Sequence, residues 1–463
     1  MFEKARSKVY QDGEYGEYID SIYGVLQGGI LSPKMFNEFM YDLPHYLNKS
    51  DGIEIEGVSF THLLYADDIV LISGTPEGLK NSLACLHKFC SEWHLIVNTS
   101  KTKIMEINTN KQTTFYYNKE IIDCVDTFKY LGHVISKSKN IHNKMPEYII
   151  NQAHKALFAL SGKTKIAVGY MPPTLSIKMF DTYILPILEY NNMLWAKNLS
   201  IQEVEKVQLE YLKNVLGVRR QTPTLAVYAE TGRFPLLIRQ KMSTINYWAR
   251  ICCLLEYDIL HKCLTIQNNM HSKGVNCWFS KVVNIMKSCD TLNWEVEDPQ
   301  TVVSKLKIHL YTNEQTRILD AIQNTASQPK LRTYKLFKSN YCIEPYLTLN
   351  LPNKLYKSIA RFRTSSHNLR IETGRHESPK LPLEERICNK CDRNEIEDEL
   401  HCMLLCSHNN QHRTKLLNIA SNYIPDIHNL DSRDKFIALM CNKQPEIIVA
   451  LGHFLSSSFQ ESA

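Results

Sequence analysis

Two neighbouring carboxylates, Asp67 and Asp68, sit between the apolar runs His62-Leu63-Leu64-Tyr65 and Ile69-Val70-Leu71-Ile72. The runs are rich in leucine and β-branched residues, which suits strands, and Ala66, Asp67 and Asp68 fall where the chain must turn. Consecutive strand side chains point apart, but a turn relaxes that rule and lets adjacent acids share one region of space. Such a pair repels itself unless a cation neutralises it. Mg²⁺ accepts carboxylate oxygens together with substrate phosphates, and that combination is the chemistry of two-metal phosphoryl transfer. The plain alternative is a solvated Asp-Asp turn, because Asp is common in turns.

A second constellation lies near the C-terminus. Cys388, Cys391, His401 and Cys406 follow the spacing Cys-x2-Cys-x9-His-x4-Cys. Zn²⁺ takes thiolate and imidazole ligands tetrahedrally, and a closed four-ligand site is structural. The two-residue gap lets one turn present both thiols, and His401 and Cys406 suit a single helical stretch. Cys402 is a competing thiol. Reduced cysteines beside a surface histidine are the alternative in a chain with 14 Cys. The flanking Arg386, Lys390 and Arg393 are placed to touch nucleic-acid phosphates.

The elements that carry these groups follow from periodicity. Ser32-Pro33 opens a helix whose Met35, Phe36, Phe39, Met40 and Leu43 share one face. Thr75-Pro76-Glu77 is a cap with Pro in the first turn, leading into a stripe of Leu79, Leu83, Leu86, Phe89, Cys90 and Trp93. Residues 97–105 are a polar turn entering a short strand, and residues 128–135 read as another strand with a glycine inside. Residues 20–136 are therefore α+β, and the first twenty residues, polar with tyrosines and Gly13 and Gly16, look like the tail of an earlier element. From 137 to 263 the pattern becomes long helices punctuated by Gly162, Pro172-Pro173, Pro186, Gly217, Pro223, Gly232 and Pro235. Residues 264–355 read as a connector of short helices. Residues 356–463 begin with Lys357, Arg361, Arg363, Arg370 and Arg375 and then carry the Cys/His group.

Composition sets bounds. The chain has 463 residues, 44% apolar and 22% charged, which is ordinary for a globular protein of two or three domains. Its 54 basic and 48 acidic side chains leave +6, with a pI near 8.5, compatible with a polyanionic partner. The first ten residues include Glu3, Lys4, Arg6 and Lys8, unlike a secretory signal, so the cysteines read as reduced and the location as intracellular. No apolar run approaches the roughly 18 residues of a membrane span.

The order of motifs carries a resemblance. Gly24-Val25-Leu26-Gln27-Gly28 with Leu31-Ser32-Pro33, then Tyr65-Ala66-Asp67-Asp68, then Asn98 to Lys101-Thr102, then Tyr130-Leu131-Gly132 resembles the reverse transcriptase of non-LTR, LINE-type retrotransposons. The resemblance implies a right-hand polymerase: a partial palm over 1–136, an α-helical thumb over 137–263, and a small C-terminal zinc knuckle. It implies RNA-directed DNA synthesis, with an RNA template, a DNA primer and deoxynucleoside triphosphates as partners. Asp67 and Asp68 become the Mg²⁺ ligands. Gln27, Gly28 and Gly29 approach template and nucleotide, and Tyr65 belongs to the hairpin motif. Lys101 matches the lysine that protonates leaving pyrophosphate, although a solvated surface lysine explains it as simply. Tyr130, Leu131 and Gly132 match the turn that grips the primer. The location implied is the nucleus or a cytoplasmic ribonucleoprotein.

Departures from the family matter as much. Its polymerases use a third acid on a palm strand some tens of residues before the Gln-Gly-Gly segment, and the early acids here are Glu3, Asp12, Glu14, Glu17 and Asp20. Fingers and an upstream endonuclease are not found either. The expectation is an incomplete polymerase with an incomplete two-metal site and little activity alone, served by an upstream part of the same polyprotein. The alternative is an inactive nucleic-acid-binding relic or domesticated protein that uses thumb and knuckle. Pro425-Asp426 and Asp431 are a weaker match to a restriction-like nuclease found after the knuckle in some relatives; an Asp-rich turn before a helix explains them as well.

Overall fold

Two-residue turns organise the N-terminal third. Among the described residues, five antiparallel strand pairs are each closed by two residues: β1 (Ala5–Gln11) with β2 (Glu14–Ser21), β3 (Ile53–Ile55) with β4 (Val58–Phe60), β5 (His62–Tyr65) with β6 (Asp68–Leu71), β7 (Phe115–Tyr117) with β8 (Glu120–Ile122), and β9 (Thr127–Tyr130) with β10 (His133–Ser136). Four of the turns, Asp12-Gly13, Glu56-Gly57, Asn118-Lys119 and Leu131-Gly132, have positive φ at both positions, the pattern that matches the right-handed twist of paired strands. The computed structural model describes residues 5–21, 24–25, 28–108, 113–168, 171–196, 198–324 and 328–459. It divides into two compact units, Met1–Ile141 and His142–Ala463.

In the first unit one helix supplies the foundation. Thr75 accepts the Gly78 N–H at 3.0 Å and starts the helix Pro76–Glu92 as its cap and proline predict. A side chain at Gly78 would meet Ser73 Oγ at 2.6 Å and the Asp51 carbonyl at 2.8 Å, so glycine lets this helix start press against the end of β6. Leu83, Leu86, Phe89 and Cys90 are buried with Met40, Leu43, Ile104, Phe115 and Ile122. Leu64, Ile69 and Leu71 of the β5–β6 hairpin pack onto this core, while Leu63 and Tyr65 point away. Alternation along β5 therefore decides which end of the hairpin is anchored and which is presented.

Three local expectations are corrected here. The helix expected through Met35 to Leu43 is two: Ser32–Phe39, then Leu43–Tyr46, because Pro44 has no N–H to carry the hydrogen-bond ladder on from Met40 and sits instead in the first turn of the second helix. Residues 128–135 are not one strand but the β9–β10 hairpin, because Leu131 (φ 46°) and Gly132 (φ 78°) form the turn. Residues 264–355 hold more than short helices, since Pro299–Gln323 is a single helix of 25 residues capped by Asp298.

The second unit is helical. Its main core joins Leu212, Ile318, Phe362, Phe436 and Leu451, among residues drawn from between Ile177 and Leu455, and a second core gathers Trp248, Val282, Met286, Leu306 and Leu310. Inside it lies a buried ionic hub. Arg363 Nε donates to both Glu230 oxygens at 3.0 and 2.9 Å, the Tyr334 and Tyr346 hydroxyls donate to Glu230 at 2.9 and 2.6 Å, and Arg363 also pairs with Glu344 at 2.7 Å. Arg363, counted above among the basic residues of the tail, is thus a core residue, 3% exposed. The apolar run at 447–455 belongs to the buried helix Pro445–Ser458, and no described helix is long and apolar enough to cross a membrane.

Candidate functional site

The β5–β6 hairpin presents its acids at the tip. Tyr65 pairs with Asp68, and Ala66 and Asp67 make the turn. Only Ala66 has positive φ here (51°), unlike the other four turns. A first turn position with positive φ ordinarily takes glycine, so an alanine there costs about 1 kcal/mol or more and holds the tip in one conformation. Asp67 and Asp68 are both exposed, as is Tyr65, and neither acid has a salt-bridge partner among the described residues. At the anchored end His62 is half-buried, its pKa lowered by that burial, and its ring meets Thr61 Oγ1 at 2.8 Å.

The other expected groups are placed as follows. The Tyr130 phenol has its pKa raised by burial and then by the charge of Asp68, so the end of β9 is within electrostatic reach of that acid. Gly132 completes the turn that follows. Lys101 is exposed, on a turn that Asn98 holds: the Lys101 N–H donates to the Asn98 carbonyl and side chain, both at 3.1 Å, and Thr102 Oγ1 donates to the same carbonyl at 2.9 Å. No carboxylate pairs with the Lys101 ammonium among the described residues. Gly28 has φ +82° with open space on its Cβ side, and the Gly29 carbonyl accepts the Ser32 N–H at 3.2 Å at the start of the following helix. Gln27 lies outside the described residues.

Among the described residues, no third Asp, Glu, His or Cys gathers with Asp67 and Asp68 within ligand distance. Asp20, the nearest to a strand acid among the early residues, lies on the exposed β2 and pairs with Arg6 at 2.8 Å.

The Cys/His residues converge. One ligand atom from each of Cys388, Cys391, His401 and Cys406 falls within 4.8 Å of the others, the one such group among the described residues. The sulfurs of Cys388 and Cys406 are 3.9 Å apart, and Cys391 Sγ is 3.4 Å from His401 Nε2. The chain gives the reason. Residues around Cys388 form a turn closed by Cys388 N–H to the Glu395 carbonyl at 2.9 Å and by the Ile387–Ile396 bridge. His401–Leu405 is a π-type turn, in which Cys406 N–H reaches the His401 carbonyl at 2.8 Å, so residues five apart face one way. Glu395 Oε2, 3.0 Å from His401 Nδ1, orients the ring so that Nε2 faces the sulfurs. Sequence reasoning missed Glu395, which carries no motif of its own. Burial pushes the Cys388 thiol up to about 12 and raises Cys406; Cys391 ends lower than usual, burial being outweighed by the Arg393 backbone N–H and the neighbouring thiols. Cys402 stays apart, buried, with Asn409 Nδ2 donating to its sulfur at 3.6 Å.

The flanking cations need correcting. Arg386 is 6% exposed and donates to the carbonyls of Leu381 and Ile371, so it ties the fold and does not face a strand of nucleic acid. Lys390 and Arg393 stand 4.0 and 3.9 Å from Glu397 and Glu395. Asp431 caps the helix Ser432–Met440 by accepting the Asp434 N–H at 2.8 Å, the structural role that competed with a nuclease.

Comparison with known proteins adds three findings. Residues 8–135 match the model of the reverse transcriptase (RNA-dependent DNA polymerase) family. An uncharacterised transposon-derived protein of Caenorhabditis elegans is 30% identical over 155 residues, which cover 33% of this chain and 54% of that protein. The retrovirus-related Pol polyprotein from the type-1 retrotransposable element R2 of Nasonia vitripennis is 24% identical over 256 residues, 50% of this chain and 24% of the polyprotein. The chain thus spans about half the length of the first of these relatives and a quarter of the second.

Proposed function

We propose that this chain, whose residues 8–135 are a reverse transcriptase domain of the non-LTR retrotransposon kind, takes part in RNA-directed DNA synthesis. The observation that carries the reading is the pair of exposed carboxylates, Asp67 and Asp68, without an ion-pair partner among the described residues and held at the tip of an anchored hairpin, with Asp68 in electrostatic reach of Tyr130. Those two acids are the residues to hold Mg²⁺, which when bound neutralises the phosphates around the reacting oxygens. Gly28 leaves room for template and nucleotide with Gly29 following it, the Tyr130–Gly132 turn supports the primer end, and Lys101, without a carboxylate partner among the described residues, is positioned on a capped turn as a proton donor. The template is RNA, the primer DNA and the substrates deoxynucleoside triphosphates. The helices after residue 142 serve as the thumb, and the setting is the nucleus or a ribonucleoprotein.

The Cys388, Cys391, His401 and Cys406 group is a structural Zn²⁺ site. Tetrahedral bonds of about 2.3 Å to sulfur place sulfurs about 3.8 Å apart, close to the 3.9 Å between Cys388 and Cys406.

Two acids without a third among the described residues support weak synthesis by this chain alone, with a further acid from outside those residues completing the metal site. The same observation favours a second reading, a nucleic-acid-binding protein without catalysis. Primer extension on an RNA template with Mg²⁺ tests both, against Asp67→Asn and Asp68→Asn. Synthesis that the substitutions abolish supports the polymerase. Synthesis that survives both substitutions would overturn the assignment of the acids, and binding with no synthesis would leave the second reading standing.

A further inference from the structure

We propose that a polar pocket of about 220 Å³ in the C-terminal unit, ringed by Arg219, Lys330 and His376, holds a phosphate of a nucleic-acid backbone. It is smaller than the roughly 300 Å³ at which most small-molecule sites begin, and those sites are mainly apolar, so a compact anion suits it better.

Charge decides the ligand's sign. None of Arg219, Lys330 and His376 has an acid within ion-pair distance among the described residues. The pocket's one acid, Glu372, is 2% exposed and already spoken for: Arg332 reaches it at 2.6 Å and Arg375 at 3.3 Å. The lining therefore carries excess positive charge that no described partner cancels. Phosphate oxygens accept hydrogen bonds from several donors at once, which is what guanidinium, ammonium and hydroxyl groups around one space provide.

The site is built rather than frayed. Ser366, 5% exposed, accepts the Arg219 N–H at 2.8 Å, and the Arg219 side chain donates to Asn368, so the loop after the helix ending at Leu216 is pinned to the loop after Arg363. Thr222, also 5% exposed, lines the pocket with a buried hydroxyl that has no hydrogen-bond partner among the described residues. Behind Glu372, Arg332 continues to Glu399 at 2.9 Å, two residues before His401, so the pocket wall and the Cys/His turn are one connected structure. The two cations and the imidazole come from positions 219, 330 and 376, and only folding assembles them.

The anion site stands without the polymerase reading; its assignment to nucleic acid rests on that reading. The test uses the full chain and a fluorescein-labelled single-stranded RNA, with anisotropy measured over a salt series. Arg219→Gln with Lys330→Gln should weaken binding several-fold and flatten the slope of log affinity against log salt by about 0.7 for each phosphate that the variant no longer neutralises. Lys262→Gln with Lys287→Gln, exposed cations elsewhere in the same unit, removes equal charge and should change affinity much less. Lys330→Gln alone, whose ammonium gives up no ion pair among the described residues, keeps the test valid if the Arg219 change unsettles the fold. Equal losses of affinity in both pairs would mean diffuse surface charge and overturn the pocket. Calorimetric binding of inorganic phosphate that the pocket variants abolish, with RNA affinity unchanged, would mean a free-phosphate site and overturn the nucleic-acid assignment. Absent primer extension with this pattern intact would strike the polymerase reading alone.

Discussion

The Tyr130 phenol and the Asp68 carboxylate, on two different hairpins, are near enough that the acid's charge adds to burial in raising the pKa of the phenol. A phenolate there would face a like charge. Asp68→Asn should therefore lower the Tyr130 pKa toward its ordinary value, leaving only the part due to burial. Difference absorbance of the phenolate during an alkaline titration, with Tyr130→Phe to identify the signal, reads this directly. An equal shift from Asp67→Asn would show that the two acids stand at similar distances and undo the placement.

The odd turn of the acid hairpin makes a prediction about strain. Ala66→Gly removes the Cβ at φ 51° and should leave stability unchanged or raise it slightly, since relief is opposed by the entropy of glycine. Gly132→Ala, at φ 78° in the neighbouring turn, should destabilise by about 1 kcal/mol. Urea denaturation of the two variants compares them; a stabilising Gly132→Ala would contradict the turn geometry.

Glu230 is the hub of the second unit's ionic core. Burial alone would raise its pKa, but Arg363 and Lys338, together with hydrogen bonds from Arg363 and Tyr346, bring it below the ordinary value of 4.5. A carboxyl depressed on folding contributes stability that is present above its unfolded pKa and lost as pH falls through its folded one. Thermal melts should therefore fall on acidification below about pH 4.5. Glu230→Gln leaves Arg363 buried with less charge to meet and should cost about 3 to 5 kcal/mol. A variant within about 1 kcal/mol of the parent would mean the hub contributes little.

Metal analysis checks the Cys/His group. The purified chain should hold about one zinc per molecule, and chelation should lower its melting temperature. Cys391→Ser and His401→Gln should each lose the metal, whereas Cys402→Ala, which removes a sulfur outside the cluster, should keep it. Metal retained by His401→Gln and lost by Cys402→Ala would exchange the ligand assignment.

Much of the acid site was legible in the linear chain because the signals there are local. Apolar runs flanking Asp67-Asp68 mark a hairpin, Thr75-Pro76 marks a helix start, and ligand spacing marks the Cys/His turns; the folded chain has all three. Where a residue's part depended on distant neighbours, sequence was mute. Periodicity made Leu131-Gly132 strand interior while the family resemblance made it a turn, and backbone φ decides for the turn. Arg386 looked like a cation for phosphates, yet carbonyls from Leu381 and Ile371 claim it, and Arg363 is neutralised by Glu230 from 133 residues away. Arg219, Lys330 and His376 show no pattern in the chain at all. Periodicity, capping and turn chemistry act over a few residues and are written in order along the chain. Which charge meets which is decided by packing across the whole unit, so only the tertiary structure separates the cations that hold the fold from those left for a ligand.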